Sequence, residues 1–406
     1  MAEEPEKEGL ASGSNALNRF SELSVHGFRR LYDIAFPLRP LCVMIGANGT
    51  GKTSLLEVLA LLASSAQGRL SSSLADLSGL ASVLTYDRAA YLQLGISMAV
   101  PTQMSRASTP MPLQYSLELR PQGISYTIEH ETLSQQRRPA PSRPFLHIDS
   151  HGANIRYYDA AKKKLVQPNW EHNPFETSLS QVPKLFREPE DFRTRLASST
   201  SYHVLNVDPR SPVRLPQPMQ PAVLPGKNGE ELVSCLFFLR ETERNRFEAI
   251  EDSLRAAFPR FDRLDFPPVA AGTLALAWRE KGFSKPLYMH QLSEGTLRFL
   301  WLATLLQSPG LTALTLLDEP EVSLHPELLS LLADLLREAS TRTQVIVATH
   351  SDRLIRFLEP KEVAVMDSSD DGMTSLTWAD QLDLTGWLEE YSLDELWQNG
   401  RLGARS

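Results

Sequence analysis

The chain has 406 residues, enough for one large domain or two to three ordinary ones, and 42 % of them are hydrophobic, which excludes global disorder. No apolar run reaches the length a bilayer requires, and Cys42 and Cys235 lie far apart without metal-like spacing, so a reduced, cytoplasmic setting with no membrane contact is expected. A net charge of −8 argues against a protein that coats nucleic acid over its whole surface.

Taken in chain order, residues 1–16 are acidic and lack an apolar stretch, so they are expected to be a disordered tail and not a secretory signal. Residues 17–68 start with two strand-like segments, Leu23–Leu31 and Leu41–Ile45. An eight-residue run follows: Gly46, Ala47, Asn48, Gly49, Thr50, Gly51, Lys52, Thr53. It is a complete G-x-x-x-x-G-K-[ST] phosphate loop, and Ser54–Leu62 behind it is rich in helix formers. Strand, glycine loop and helix are what triphosphate binding needs. The glycines let backbone N–H groups converge on phosphate oxygens, and the helix N-terminus adds positive potential. Lys52 is expected to reach the β- and γ-phosphates of ATP, and Thr53 to ligate Mg²⁺.

Residues 69–224 differ in texture. The stretch from Pro101 to Pro225 holds 17 of the 28 prolines, and 15 Lys/Arg against 11 Asp/Glu, which leaves −12 for the rest of the chain. Two hairpins are expected. One joins Tyr115–Arg120 to Ile124–Glu129 through Pro121-Gln122-Gly123, the other Phe145–Asp149 to Ile155–Asp159 through Ser150–Asn154. The segment therefore reads as an inserted antiparallel β lobe. Its basic clusters are Lys162-Lys163-Lys164, Arg137-Arg138, and Arg193 with Arg195. They suit a phosphate backbone, or equally the protection of exposed edge strands.

Residues 225–406 alternate helical and strand patterns. Leu292-Ser293-Glu294-Gly295-Thr296 opens into an apolar helix from Leu297 to Leu306. Leu311–Leu317 is apolar apart from its threonines and reads as a buried parallel strand ending at Asp318-Glu319. Carboxylates at such a strand end sit where open α/β sheets hold their ligands. Asp318 is expected to hold Mg²⁺ and Glu319 to orient and deprotonate the attacking water. Pro326 is placed to start a further helix, and Val345–Thr349 is another apolar strand, ending at His350-Ser351.

The order of phosphate loop, Ser-x-Gly turn, acidic strand and strand-terminal histidine resembles the ABC-type ATPase head in its RecF/SMC/OLD-like branch. Leu292–Thr296 resembles the LSGGQ signature, with Glu294 in place of a Gly and Thr296 in place of Gln. Ser323-Leu324-His325-Pro326 resembles the D-loop of this branch, and Thr349-His350-Ser351 its switch loop. Val25–Leu31 resembles the strand common to RecF-like and SMC-like proteins, and Leu388–Tyr391 with Glu395–Trp397 and Gly400 resembles standalone members. The resemblance covers about residues 20–68 and 225–400. It implies an α/β fold: a P-loop head with a mixed sheet, made of 17–68 and 225–406 and interrupted by the β-rich lobe 69–224. It places His350 near the γ-phosphate as a second catalytic group. It also implies that Ser293 and the backbone around Gly295 cap the ATP of a second subunit, in a head-to-tail homodimer that ATP closes and hydrolysis opens. DNA and an effector protein such as a nuclease are the candidate partners, in DNA repair or anti-phage defence. The family also carries a glutamine after a strand that follows the first helix, for which Gln93 and Gln103 are the candidates.

Three alternatives stand beside this reading. A transporter's nucleotide-binding subunit leaves the long insert, Val25–Leu31 and the Ser323–Pro326 segment unaccounted for. An ATPase subunit that binds only protein partners remains open. A fused metal-dependent nuclease does not fit, because only 56 residues follow His350, and the run Ser369-Asp370-Asp371-Gly372 within them reads as a hairpin turn.

Overall fold

A computed structural model describes residues 19–99, 112–136, 143–383, 387 and 390–402. The expected tail 1–16, Gln103, Arg137-Arg138, Leu388 and Glu389 lie outside the described residues. Among the described residues no helix is long and apolar enough to cross a membrane.

The chain forms two compact units. Of the described residues, those within 1–40, 57–198 and 372–374 form one, and those within 41–56, 199–371 and 375–406 the other. In the first, eight strands make one antiparallel sheet in the order Leu31–Pro37, Phe20–Phe28, Leu92–Met98, Leu113–Gln122, Ser125–Gln135, Phe145–His151, Asn154–Asp159 and Lys164–Val166. Alternation sets the register. Leu113, Tyr115, Leu117 and Leu119 are buried, while Gln114 between them is exposed. Both hairpins read from the sequence are present, closed by the pairs Gln122↔Ser125 and His151↔Asn154. The helix Arg187–Ala197 lays Phe192 edge-on against Phe20, at 6.0 Å between ring centroids. Glu131, fully buried, accepts hydrogen bonds from the Tyr115 hydroxyl (3.0 Å) and from the amides of Ser178 (2.6 Å) and Leu179 (2.8 Å), which fastens the 177–179 segment to the sheet. Its desolvation raises its carboxyl pKa despite these donors.

The second unit is built on a six-stranded sheet in the order Thr200–Tyr202, Leu314–Asp318, Gln344–Thr349, Leu41–Gly46, Val363–Ser368 and Thr374–Trp378. The first five strands are parallel. Leu41–Gly46 and Gln344–Thr349 are buried at every position, as strands covered on both faces must be. The apolar helices Leu232–Thr242, Glu294–Gln307 and Leu329–Ser340 supply much of the core.

The division does not follow the boundaries expected at 68/69 and 224/225. Phe20–Phe28 pairs with Leu92–Met98 (Leu23↔Ile96), so the N-terminal strands share a sheet with the inserted ones. Residues 199–224 fall in the unit with the parallel sheet, where Thr200–Tyr202 adds a strand beside Leu314–Asp318. A short strand's sequence carries its period but not the identity of its neighbour, so the sheet each joins could not be read in advance.

Candidate functional site

The parallel sheet brings four strand ends together at their carboxyl edge. Thr349 pairs with Ile45, Asp318 with Ala348, and Tyr202 with Leu317. The residues that follow, or end, these strands are therefore neighbours: Gly46 and its loop, His350, Asp318-Glu319, and His203.

The glycine loop turns from Gly46 into the helix Lys52–Ala66. Gly49 and Gly51 adopt φ of +78° and +103°, which side-chain-bearing residues rarely tolerate. A methyl at Gly46 would lie 2.3 Å from the carbonyl oxygen of Met366 on the adjacent strand, so only glycine fits. Thr50 closes the loop by donating its hydroxyl to Ala47 O at 2.9 Å. Lys52 is 4 % exposed, and its ammonium donates to Gly46 O (2.6 Å) and Ala47 O (2.9 Å). Burial lowers its pKa to about 8, against the opposing charges of Glu319 and Asp318. Ala47 is half-buried, and Asn48, Gly49 and the Thr53 side chain are exposed at the mouth of the loop.

Asp318 ends its strand half-buried. Glu319 takes a left-handed φ of +48°, and its amide donates to Ala348 O at 2.8 Å. For glutamate this conformation is strained, and the bond to the neighbouring strand helps hold it. The turn aims the Glu319 carboxylate at His350, with Oε1 3.5 Å from Nε2. Burial and the charge of Lys52 lower the His350 pKa, outweighing the pull of Glu319 and Asp318, so the imidazole is mainly neutral at pH 7.

Ser293 caps the helix Glu294–Gln307, accepting from the Thr296 amide at 3.1 Å. Ser293 and Glu294 are exposed. Gly295 packs so closely on the 323 turn that an added methyl would lie 2.8 Å from Ser323 O, and Arg298 donates to Val322 O at 3.2 Å. The Ser-x-Gly turn is thus seated on the segment after the acidic pair, with its capping serine open to solvent.

Two groups were missed by sequence reasoning. Glu321 accepts a hydrogen bond from the Thr349 hydroxyl, linking the segment after the acidic pair to the strand Gln344–Thr349. Burial raises its pKa, and its Oε2 is enclosed without a hydrogen-bond partner. His203 follows Tyr202 and places Nδ1 3.6 Å from Asp318 Oδ2. Neither carries a motif. Their places depend on long-range pairing, which local pattern does not encode. Gln93 lies inside the strand Leu92–Met98 of the antiparallel sheet and donates to Ser116 Oγ at 3.2 Å.

The residues present suit a nucleotide with a divalent cation. A buried ammonium satisfied by its own loop carbonyls can be handed to phosphate oxygens, and the exposed Thr53 hydroxyl and the Asp318 carboxylate are hard oxygen donors. Among the described residues no three His, Cys, Asp or Glu side chains gather as a group that could hold a metal ion.

Comparison with known proteins agrees with this geometry. No curated protein matches the chain by sequence. Among solved structures, an SMC head bound to the C-winged helix domain of ScpA superposes with a TM-score of 0.53 at 17 % identity, covering 88 % of this chain and 97 % of that one. An SMC head with an extended coiled coil bound to the C-terminal domain of ScpA, derived from Pyrococcus furiosus, gives 0.50 at 14 % identity, covering 95 % and 99 %. These likenesses establish an SMC-head-like fold. A family model matches residues 41–356, from the strand before the glycine loop to just past His350, and the chain belongs to that family, described as "AAA domain, putative AbiEii toxin, Type IV TA system".

Proposed function

We propose that the protein binds and hydrolyses ATP and works as a switch that ATP closes into a head-to-tail dimer. The observation that carries the reading is the meeting of the Lys52 cradle with Asp318, Glu319 and His350 on neighbouring strand ends. Lys52 would exchange its loop carbonyls for phosphate oxygens. The loop amides from Asn48 to Thr53 would hold the remaining phosphate charge, while Thr53 and Asp318 would hold Mg²⁺. When bound, the cation neutralises charge on the phosphates as the terminal bond breaks. Glu319 is placed to orient a water and take its proton, with neutral His350 beside it as a hydrogen-bond partner for the terminal phosphate.

Dimer closure is supported by the exposed Ser293 cap. Its helix end favours an anion, yet its hydrogen bonds run to Thr296 and its neighbours pack on 322–323. A second copy's phosphates would use it. Glu319→Gln tests this, since it keeps size and hydrogen bonding but removes the base. It should bind ATP, turn over at least about a hundredfold more slowly, and double its mass in light scattering with ATP. Parental turnover in that variant would refute the assigned base.

The family description names a toxin of a toxin–antitoxin system, and the two similar SMC heads were solved with domains of a protein partner. The family description favours a role in defence with a protein effector over service to a membrane permease.

A further inference from the structure

His203 is not explained by the phosphate loop, the acidic pair or the switch histidine, yet it stands among them. Its position is fixed by the fold. Thr200–Tyr202 runs parallel to Leu314–Asp318 with Tyr202 opposite Leu317, so the next step along each strand sets His203 beside Asp318. Tyr202 is 3 % exposed and packs edge-on against Trp301 at 5.8 Å, which anchors the residue before it. His203 itself is exposed and presents Nδ1 3.6 Å from Asp318 Oδ2.

We infer that His203 is a ligand of the divalent cation held by Asp318 and Thr53, giving an otherwise all-oxygen site one imidazole nitrogen. The inference rests on the proposed nucleotide site and adds a donor to it. Neighbouring donors in an octahedral site with bonds of about 2.1 Å lie about 3 Å apart. The observed 3.6 Å differs from that by about 0.6 Å, within the reach of a small side-chain rotation. Glu319 is turned toward His350, and no third carboxylate, thiol or imidazole among the described residues joins Asp318 and His203. His203 Nδ1 is thus an imidazole nitrogen within ion-pair distance of Asp318. A nitrogen ligand changes the choice of metal. Carboxylate, hydroxyl and phosphate oxygens suit Mg²⁺, whereas imidazole raises affinity for later divalent ions, Mn²⁺ and Co²⁺ among them.

The test uses the full chain, grown with ¹⁵N-labelled histidine and loaded with Mn²⁺ and a non-hydrolysable ATP analogue. Pulsed electron paramagnetic resonance reads directly bound nitrogen. The inference expects a ¹⁵N coupling that disappears in His203→Ala and persists in His350→Ala. Mn²⁺ affinity should fall roughly 10–100-fold in His203→Ala. In His203→Gln, an oxygen donor, the preference for Mn²⁺ over Mg²⁺ should shrink several-fold. Because His203 is a surface side chain, neither substitution threatens folding. Nucleotide-dependent Mn²⁺ binding with no histidine coupling, or with coupling that follows His350, would overturn the inference and leave the nucleotide site standing. Absence of any nucleotide-dependent Mn²⁺ binding would overturn both.

Discussion

If ATP binds as proposed, the buried ammonium of Lys52 should make that binding a proton-linked event. In the ligand-free protein its pKa is held at about 8, because burial outweighs the pull of Glu319 and Asp318. Polyphosphate brings several negative charges against the same group and returns it to the charged form. Binding should therefore take up protons in proportion to the neutral fraction of Lys52: about 0.1 at pH 7, about 0.5 at pH 8 and about 0.9 at pH 9. The sign follows from the lowered pKa, so ATP affinity should weaken as pH rises above about 8. Calorimetric titration at each pH in two buffers of different ionisation enthalpy measures the uptake directly. A second arm reads stability. The fall from 10.5 to about 8 corresponds to roughly 3 kcal/mol of cost to the charged form. The loop mouth is open, so solvent screening reduces this to roughly 1–2 kcal/mol. That cost is present in full below pH 8. It is relieved as pH rises toward 10.5, where the unfolded chain keeps the proton and the folded one does not. Lys52→Met should remove it, so the variant should be more stable by that amount near neutrality and lack the rise in stability above pH 8. Uptake that stays near zero at pH 8–9, or parallel stability profiles for parent and variant, would refute the reasoning.

Two further outcomes can be stated. Gly46→Ala forces a methyl to within 2.3 Å of Met366 O, which should cost roughly 1–3 kcal/mol in chemical unfolding and abolish ATP binding; unchanged stability would show that the loop gives way easily. If the basic face of the antiparallel unit binds duplex DNA through phosphates, neutralising the exposed Lys162, Lys163 and Lys164 should lower the log–log salt slope of binding by up to about 3. Absence of DNA binding with and without ATP, in the Glu319→Gln background, would leave a protein as the occupant of that unit.

Most residues that the candidate site brings together were marked in the sequence, because each lies in a local pattern. A phosphate loop is eight contiguous residues, and a buried strand ending in two acids is readable from its apolar run. His350, at the end of an apolar strand, follows the same rule. Much that was not legible depends on which strands pair. Phe20–Phe28 looked like part of the nucleotide-binding unit and instead pairs with Leu92–Met98. Thr200–Tyr202 is only three residues long, too short to register as a strand, yet its pairing with Leu314–Asp318 delivers His203 to the site. Gln93, sought for its residue type, sits mid-strand in the other sheet. The basic clusters were also weaker in the structure than as a string. Arg193 is engaged by Glu190 at 2.7 Å, Arg195 is partly buried, and Lys162 lies 3.7 Å from Asp159 on the hairpin beside the edge strand Lys164–Val166. Lysines at such an edge also serve to block strand addition.

The central claim is that two copies share each active site, and complementation tests it most directly. Lys52→Ala disables a subunit's own cradle, and Ser293→Arg disables the cap it lends to its partner. Each variant alone should be inactive. In a mixed head-to-tail dimer one site collects both defects and the other collects none. With random mixing, half the dimers are mixed and each has one intact site, so ATPase activity should return to about a quarter of the parental rate. Mixed dimers demonstrated by differential tagging that show no recovery would contradict the account and mean that each subunit completes its own site.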